Sequence, residues 1–175
     1  MGRDKATLTL PDGRTLLQRQ ADILRATGVT TLFVSVRPGS EIHLPGATLV
    51  PDRTPDAGPL AGIAAGLRAA PPGLVLVLAV DMAEMQSGHL RQLVEMATPE
   101  RGVVPMLGGQ SEPLAAIYPS ALASSAEAAV AAGQLAVHRW VRNEADRLLL
   151  WETPAEWAGV LHSWNTAADL PPSAG

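Results

Sequence analysis

Between Thr15 and Gly28, in TLLQRQADILRATG, the apolar residues Leu17, Ala21 and Leu24 return at helical spacing. Thr15 followed three residues later by Gln18 is a capping-box pattern, and Gly28 supplies a stop, so a helix is predicted here. The pattern then shortens. Thr30–Val36 (TTLFVSV) is rich in β-branched residues and ends at Pro38-Gly39, which predicts a strand, and Ala47–Val50 predicts a second, shorter one. After the turn-rich PDRTPDAGP, Leu60, Ile63 and Leu67 share one side of a helix running from Leu60 to Ala70. Pro71-Pro72-Gly73 breaks it.

The run GLVLVLAV at Gly73–Val80 is continuously apolar, as expected of a parallel strand buried on both faces over Leu74–Val80, and Asp81 ends it. A helix at Gly88–Ala97 is predicted to turn Leu90, Leu93, Val94 and Ala97 inward. Strands follow at Gly102–Met106 and Leu114–Tyr118, the second antiparallel after the Gly108-Gly109 turn. Helices at Ala121–Ala132 and Leu135–Glu144, a strand at Arg147–Trp151 and a short helical region complete the pattern. Strands alternating with helices predict a three-layer α/β/α, Rossmann-like domain with a mainly parallel sheet. Residues 1–170 read as a single domain, and PPSAG at 171–175 as a loose tail.

In such sheets ligands sit at the carboxyl ends of the strands. That rule selects the loop after Val50, the start of the Leu60 helix and the Asp81 corner. Composition narrows the choice of ligand. The net charge is −4 and no Lys/Arg run exists, so neither a nucleic acid nor a membrane surface is an expected partner. The chain has no cysteine, which removes disulfides, thiolate nucleophiles and Cys-based zinc sites and suits a cytoplasmic protein. No segment has the pattern of a signal peptide. The four histidines lack H-x-x-x-H or H-E-x-x-H spacing, and no G-x-S-x-G elbow occurs. Trp140, Trp151, Trp157 and Trp164 are expected to pack the edges of the last helices. Arg139 and Arg142 share one helical face, either solvated or within reach of a phosphorylated substrate.

Asp81 is the leading candidate for chemistry. A carboxylate where a buried strand surfaces is held rigidly, and Mg²⁺ favours one or two carboxylates plus phosphate oxygens. The same residue would also serve as a turn or N-cap aspartate. In DAGPLAG, Gly58 lets the backbone pass close to a ligand and Pro59 suits a first helical turn, where free N–H groups can bind an anion. Asp52 ends a strand and could be a turn residue or a ligand. Lys5 could pair with a phosphate or be solvated. Asn165 could donate to a ligand or cap the AADL turn.

Taken in order, MGRDKATL, VPDRTPDAGPLAGI, LVLVLAVDM, SEPLAAIYP, AAGQLAVHRWV and SWNTAADL resemble the molybdenum cofactor guanylyltransferases, nucleotidyltransferases with a glycosyltransferase-A-like α/β fold. The likeness runs from Met1 to about Leu170. It implies that Lys5 closes a glycine-rich nucleotide loop, that Asp52 helps hold the nucleotide, and that Pro59, Leu60, Ala61 and Gly62 contact it. It further implies that Asp81 binds Mg²⁺ and that Asn165 lies near the pterin. The implied reaction joins GMP from GTP to the phosphate of molybdopterin and releases pyrophosphate. Molybdoenzymes or their chaperones would receive the product.

In the resembled family a first strand and a Gly-Gly loop precede the Met-Gly-x-Asp-Lys stretch, so an upstream start is expected, with Met1 internal. The absent strand would sit mid-sheet. Arg37 stands near a family asparagine, Ala83 replaces a proline, and Ser163-Trp164-Asn165-Thr166-Ala167 replaces Asn-x-Asn-Thr-Pro. A cytidylyltransferase or other nucleotidyltransferase of the same superfamily, and a non-catalytic member that binds a partner or pterin, therefore stand as alternatives.

Overall fold

The computed structural model describes residues 5–52, 54 and 57–163. The first helix, α1 (Leu16–Arg25), begins at the predicted capping box. Thr15 Oγ1 accepts from the Gln18 N–H at 3.1 Å, and Gln18 Oε1 accepts from the Thr15 N–H at 2.8 Å. Strands β1 (Leu32–Val36) and β2 (Ala47–Pro51) pair in parallel, with Leu32 opposite Ala47 and Val36 opposite Pro51. Helix α2 (Pro59–Ala69) opens at Gly58, whose φ of 68° suits glycine, with Pro59 in the first turn.

There follow β3 (Leu74–Leu78), α3 (Ser87–Met96), β4 (Gly102–Leu107), β5 (Gln110–Ser111), β6 (Ala115–Pro119), α4 (Ala123–Ala131), α5 (Val137–Asn143), β7 (Leu148–Glu152) and α6 (Trp157–Val160). In this second sheet β6 lies between β3 and β4, and β4 also pairs with β5 and β7.

The three-layer arrangement is present, and strand alternation explains it. Val104, Ala116, Tyr118 and Leu148 point to one face, where they pack with α2, α4 and α5. Their neighbours Val103, Ala115, Ile117 and Leu149 point to the other, with Leu90 and Leu93 of α3, Trp157 of α6, and Ile23 and Leu24 of α1.

The expectation of a mainly parallel sheet is corrected. Only β1–β2 and β4–β7 are parallel, whereas β6 runs antiparallel to both β3 and β4, and β5 antiparallel to β4. The cause is local. Gly108 and Gly109, both at positive φ, fold β4 back into β5, and three residues later β6 begins. That connection is too short for the crossover that a parallel neighbour needs.

Three packing expectations also change. β3 is not buried on both faces: Leu74 is exposed and the other four residues are only half-buried, because β3 pairs with β6 along one edge while the other borders a cleft. Val94 of α3 is exposed, since Leu90 and Leu93 already fill the inward face. Trp140 and Trp157 are core residues rather than edge packing, with Trp140 tilted against Tyr118 at 5.2 Å between ring centroids.

The strand ends on either side of α2 position the site. Among the described residues β1 and β3 belong to separate sheets, and an open space of about 2080 Å³ lies between them. Helix α2 spans it. Gly62, in the second turn of α2, abuts Ser35 near the end of β1, and the last turn leads through residues 71–73 into β3. Both strands therefore run against α2 and in the same direction, so their carboxyl ends meet at one mouth.

Candidate active site

Polar residues from four segments converge at that mouth. Lys5 starts a single 3₁₀ turn, Lys5–Thr7, and its Nζ lies 3.0 Å from Asp81 Oδ2, just beyond the end of β3. The two side chains are 36% and 22% exposed, so as a stabilising ion pair they contribute at most about 1 kcal/mol. The interest of the pair is where it stands.

Asp52 follows β2. Its N–H donates to the Val36 carbonyl at 2.9 Å, and Ser35 Oγ donates to Asp52 Oδ1 at 2.5 Å. Lys5, Asp52, Gly58, Pro59, Gly62 and Asp81 all line the cleft, and Arg37 adds a second cation at the same end. Further in, the walls are the apolar side chains of β1 and β3.

Leu60 and Ala61 differ from the other candidates. Their side chains are buried, Leu60 in the core with Tyr118 and Leu122, so only their backbone can address a ligand. No side chain caps the start of α2, where Pro59 has no N–H and the Ala61 N–H donates to the Gly58 carbonyl at 3.2 Å. Asn165 lies outside the described residues.

Two positioning groups carry no motif. Ser35 is a small polar residue within an otherwise apolar strand, and its partner Asp52 is distant in sequence, so nothing local marks it. Gln20 did leave a trace. It follows Leu16 by four residues and precedes Leu24 by four, which puts an amide in the middle of an apolar stripe.

Among the described residues no cluster of three or more His, Asp or Glu could hold a metal by itself. A single carboxylate at the mouth of the cleft is nonetheless the donor set on which Mg²⁺ relies when substrate phosphates and water complete its shell. Asp81 meets that requirement.

A three-layer α/β frame with acidic, basic and helix-start groups at the strand ends is the frame of a nucleotide-handling enzyme. Comparison with known proteins makes this specific: the MobA-like NTP transferase domain matches residues 1–148, and the chain belongs to that family of nucleotidyltransferases. A probable molybdenum cofactor guanylyltransferase of Opitutus terrae is 33% identical over 176 residues, covering 97% of this chain and 86% of the relative. A Mycobacterium marinum protein of the same description is 34% identical, covering 98% and 85%.

Among solved structures, molybdopterin-guanine dinucleotide biosynthesis protein A from Archaeoglobus fulgidus superposes with a TM-score of 0.70 at 21% identity, covering 96% of this chain and 87% of that one. The 2-C-methyl-D-erythritol 4-phosphate cytidylyltransferase of Thermus thermophilus gives 0.72 at 23%, covering 94% and 89%. A Mycobacterium tuberculosis protein solved as a manganese complex gives 0.58 at 16%, covering 87% and 84%. At these identities the structural matches establish the shared fold. No helix among the described residues is long and apolar enough to cross a membrane.

Proposed function

We propose that this chain transfers GMP from GTP to the terminal phosphate of molybdopterin, forming the guanine dinucleotide cofactor and pyrophosphate. The observation that carries the reading is the meeting of Lys5 and Asp81 at 3.0 Å on the cleft that Asp52 and the start of α2 also line. The relatives described as probable molybdenum cofactor guanylyltransferases support the choice of substrates.

In the reaction an oxygen of the acceptor phosphate bonds to the α-phosphorus of GTP, and the bond from that phosphorus to the bridging oxygen breaks. Pyrophosphate leaves with the electron pair. A phosphate monoester has its second pKa near 6 and is mostly dianionic at neutral pH, so no side chain has to remove a proton. What remains is alignment of two anions and neutralisation of the leaving charge.

Lys5 supplies a point charge for the triphosphate. The start of α2 turns the positive end of its dipole to the phosphates, and the backbone of Pro59, Leu60, Ala61 and Gly62 contacts the nucleotide. Asp52, held by Ser35, accepts hydrogen bonds from the nucleoside. Asp81 would hold Mg²⁺, whose contribution when bound is to neutralise phosphate charge. The product would pass to molybdoenzymes or their chaperones, in the cytoplasm.

The test is pyrophosphate release by the full chain, with molybdopterin and each of GTP, CTP, ATP and UTP. Release with GTP alone, lost in Asp81→Asn, is expected. Release with CTP instead would transfer the assignment to a cytidylyltransferase. Folded protein that releases pyrophosphate with none of the four would be a binding protein, and the proposal would fall.

A further inference from the structure

Gln20 is 3% exposed at the centre of the inward stripe of α1, between Leu16 and Leu24. A leucine would fill such a position more cheaply, because a buried amide costs free energy unless it is hydrogen-bonded. Its partners explain it. The Gln20 Nε2 group donates to the carbonyl of Met82 at 2.7 Å, and its longer contacts reach those of Val80 at 3.3 Å and Ala79 at 3.4 Å. These three carbonyls bracket Asp81.

They are also the carbonyls that the sheet abandons. β3 leaves β6 at the Leu78–Ala115 pair, and the Ala79 N–H makes one last bond to the Leu114 carbonyl at 2.7 Å. Beyond that point the Ala79 carbonyl accepts from the Met82 N–H at 3.4 Å and the Met82 carbonyl from the Met85 N–H at 3.2 Å, and the remaining acceptor capacity of the corner needs donors from elsewhere. One side chain supplies them on both sides of the catalytic candidate. Next to it, Arg19 Nη2 donates to the Met85 carbonyl at 3.2 Å, tying down the rest of the corner.

The same helix holds the other half of the ion pair. The Leu16 N–H, at the start of α1, donates to the Leu8 carbonyl at 2.9 Å, and the Leu10 N–H donates to the Arg14 carbonyl at 2.8 Å. Thr9 and Thr15 form an antiparallel bridge. The strip that leads away from Lys5 is thus fastened to the N-terminus of α1, while Gln20 fastens Asp81 one turn further along.

We propose that Gln20 is a positioning residue: through the backbone around Asp81 it sets where that carboxylate stands relative to Lys5, and so how well the site holds a divalent cation bridging to a nucleotide. This rests on the reading of Asp81 given above. Groups that orient a metal-binding carboxylate from behind typically govern affinity by about 10–100-fold.

The test compares calorimetric affinity for Mn²⁺·GTP with that for GTP in EDTA, the ratio measuring what the cation adds. Wild type is expected to show a ratio well above one, and Asp81→Asn a ratio near one. Gln20→Met keeps length and loses the donors, and should lower the ratio about tenfold while affinity for metal-free GTP holds. Val141→Ala, on the opposite face of the sheet, controls for general destabilisation and should leave the ratio unchanged.

Gln20→Glu is a second variant should Gln20→Met not fold. Protonated, its carboxyl can donate one bond, and ionised it can donate none, so its ratio, taken relative to wild type at the same pH, should fall as rising pH ionises the buried carboxyl. A wild-type ratio in Gln20→Met, or a pH-independent ratio in Gln20→Glu, overturns the positioning role. Equal ratios for wild type and Asp81→Asn would instead overturn the metal-binding role of Asp81, and the inference with it.

Discussion

Two glycines one turn apart on α2 should respond to the same substitution in opposite ways. A Cβ on Gly62 would lie 2.8 Å from Ser35 Oγ and 3.3 Å from Ser35 Cβ, while a Cβ on Gly66 would meet nothing within 4 Å. Replacing a mid-helix glycine by alanine stabilises by about 0.5–1 kcal/mol through the unfolded chain and helix propensity. Gly66→Ala should show that gain in full.

At Gly62 the gain is opposed. Ordinary carbon contacts sit near 3.5 Å or beyond, so either α2 withdraws by several tenths of an ångström or Ser35 rotates away from Asp52. Overpacking of this kind costs about 1–3 kcal/mol, which leaves Gly62→Ala between neutral and about 2.5 kcal/mol destabilised. If Ser35 rotates, Asp52 loses a hydrogen bond to a charged acceptor. A bond of that class contributes about 1.5–3 kcal/mol when shielded, and less at this partly open mouth, so GTP affinity should fall by roughly tenfold.

Urea unfolding and GTP calorimetry on both variants measure each part. Equal stability changes at the two positions would refute the steric argument. Unchanged GTP affinity in Ser35→Ala, which removes the hydroxyl outright, would refute a role for the Ser35–Asp52 pair.

Other positions make independent predictions. A Cβ on Gly102 would lie 2.1 Å from the Ile117 carbonyl oxygen, which belongs to backbone and cannot rotate aside, so Gly102→Ala should unfold more readily by at least about 1–3 kcal/mol in urea. Tyr118 is fully buried with its hydroxyl donating to the Pro113 carbonyl at 2.8 Å, and burial pushes the phenol far above its ordinary range. Tyr118→Phe strands that carbonyl and should cost about 1–3 kcal/mol by the same assay.

His89 packs against Trp157 at 5.0 Å between ring centroids and accepts the Gln86 N–H through Nδ1, and burial holds its pKa below the ordinary 6.5. The unfolded chain therefore binds the proton more readily. Stability from the neutral ring is complete above about pH 6.5 and is lost as pH falls toward the folded-state pKa. His89→Gln should flatten that acid limb in urea titrations followed by tryptophan fluorescence.

Local patterns along the chain anticipate most of the elements, because their causes are local. Thr15 and Gln18 cap α1 whatever lies around them, Pro59 and Gly58 suit a helix entry on their own, and Gly108-Gly109 can turn a strand without outside help. The order of motifs from Lys5 to Asp81 also marked the right family, and Lys5, Asp52, Pro59, Gly62 and Asp81 all line the cleft. Leu60 and Ala61 show the limit of motif reading: they stand in the motif but turn their side chains into the core, since the helix must bury one face.

Tertiary structure decided the rest. Gly108-Gly109 marked the reversal after β4 locally, but only folding places β6 between β3 and β4, so the antiparallel pairing of β3 had no local signature. The half-burial of β3 follows from its pairing with β6 along one edge among the described residues, not from its composition. Gln20 reads locally as one polar residue in an apolar stripe. It becomes intelligible only when the fold brings the corner carbonyls around Asp81, some sixty residues away along the chain, within reach of its amide. Periodicity and caps are properties of neighbours in sequence, and the polar contacts that set the site join residues that are neighbours only in space.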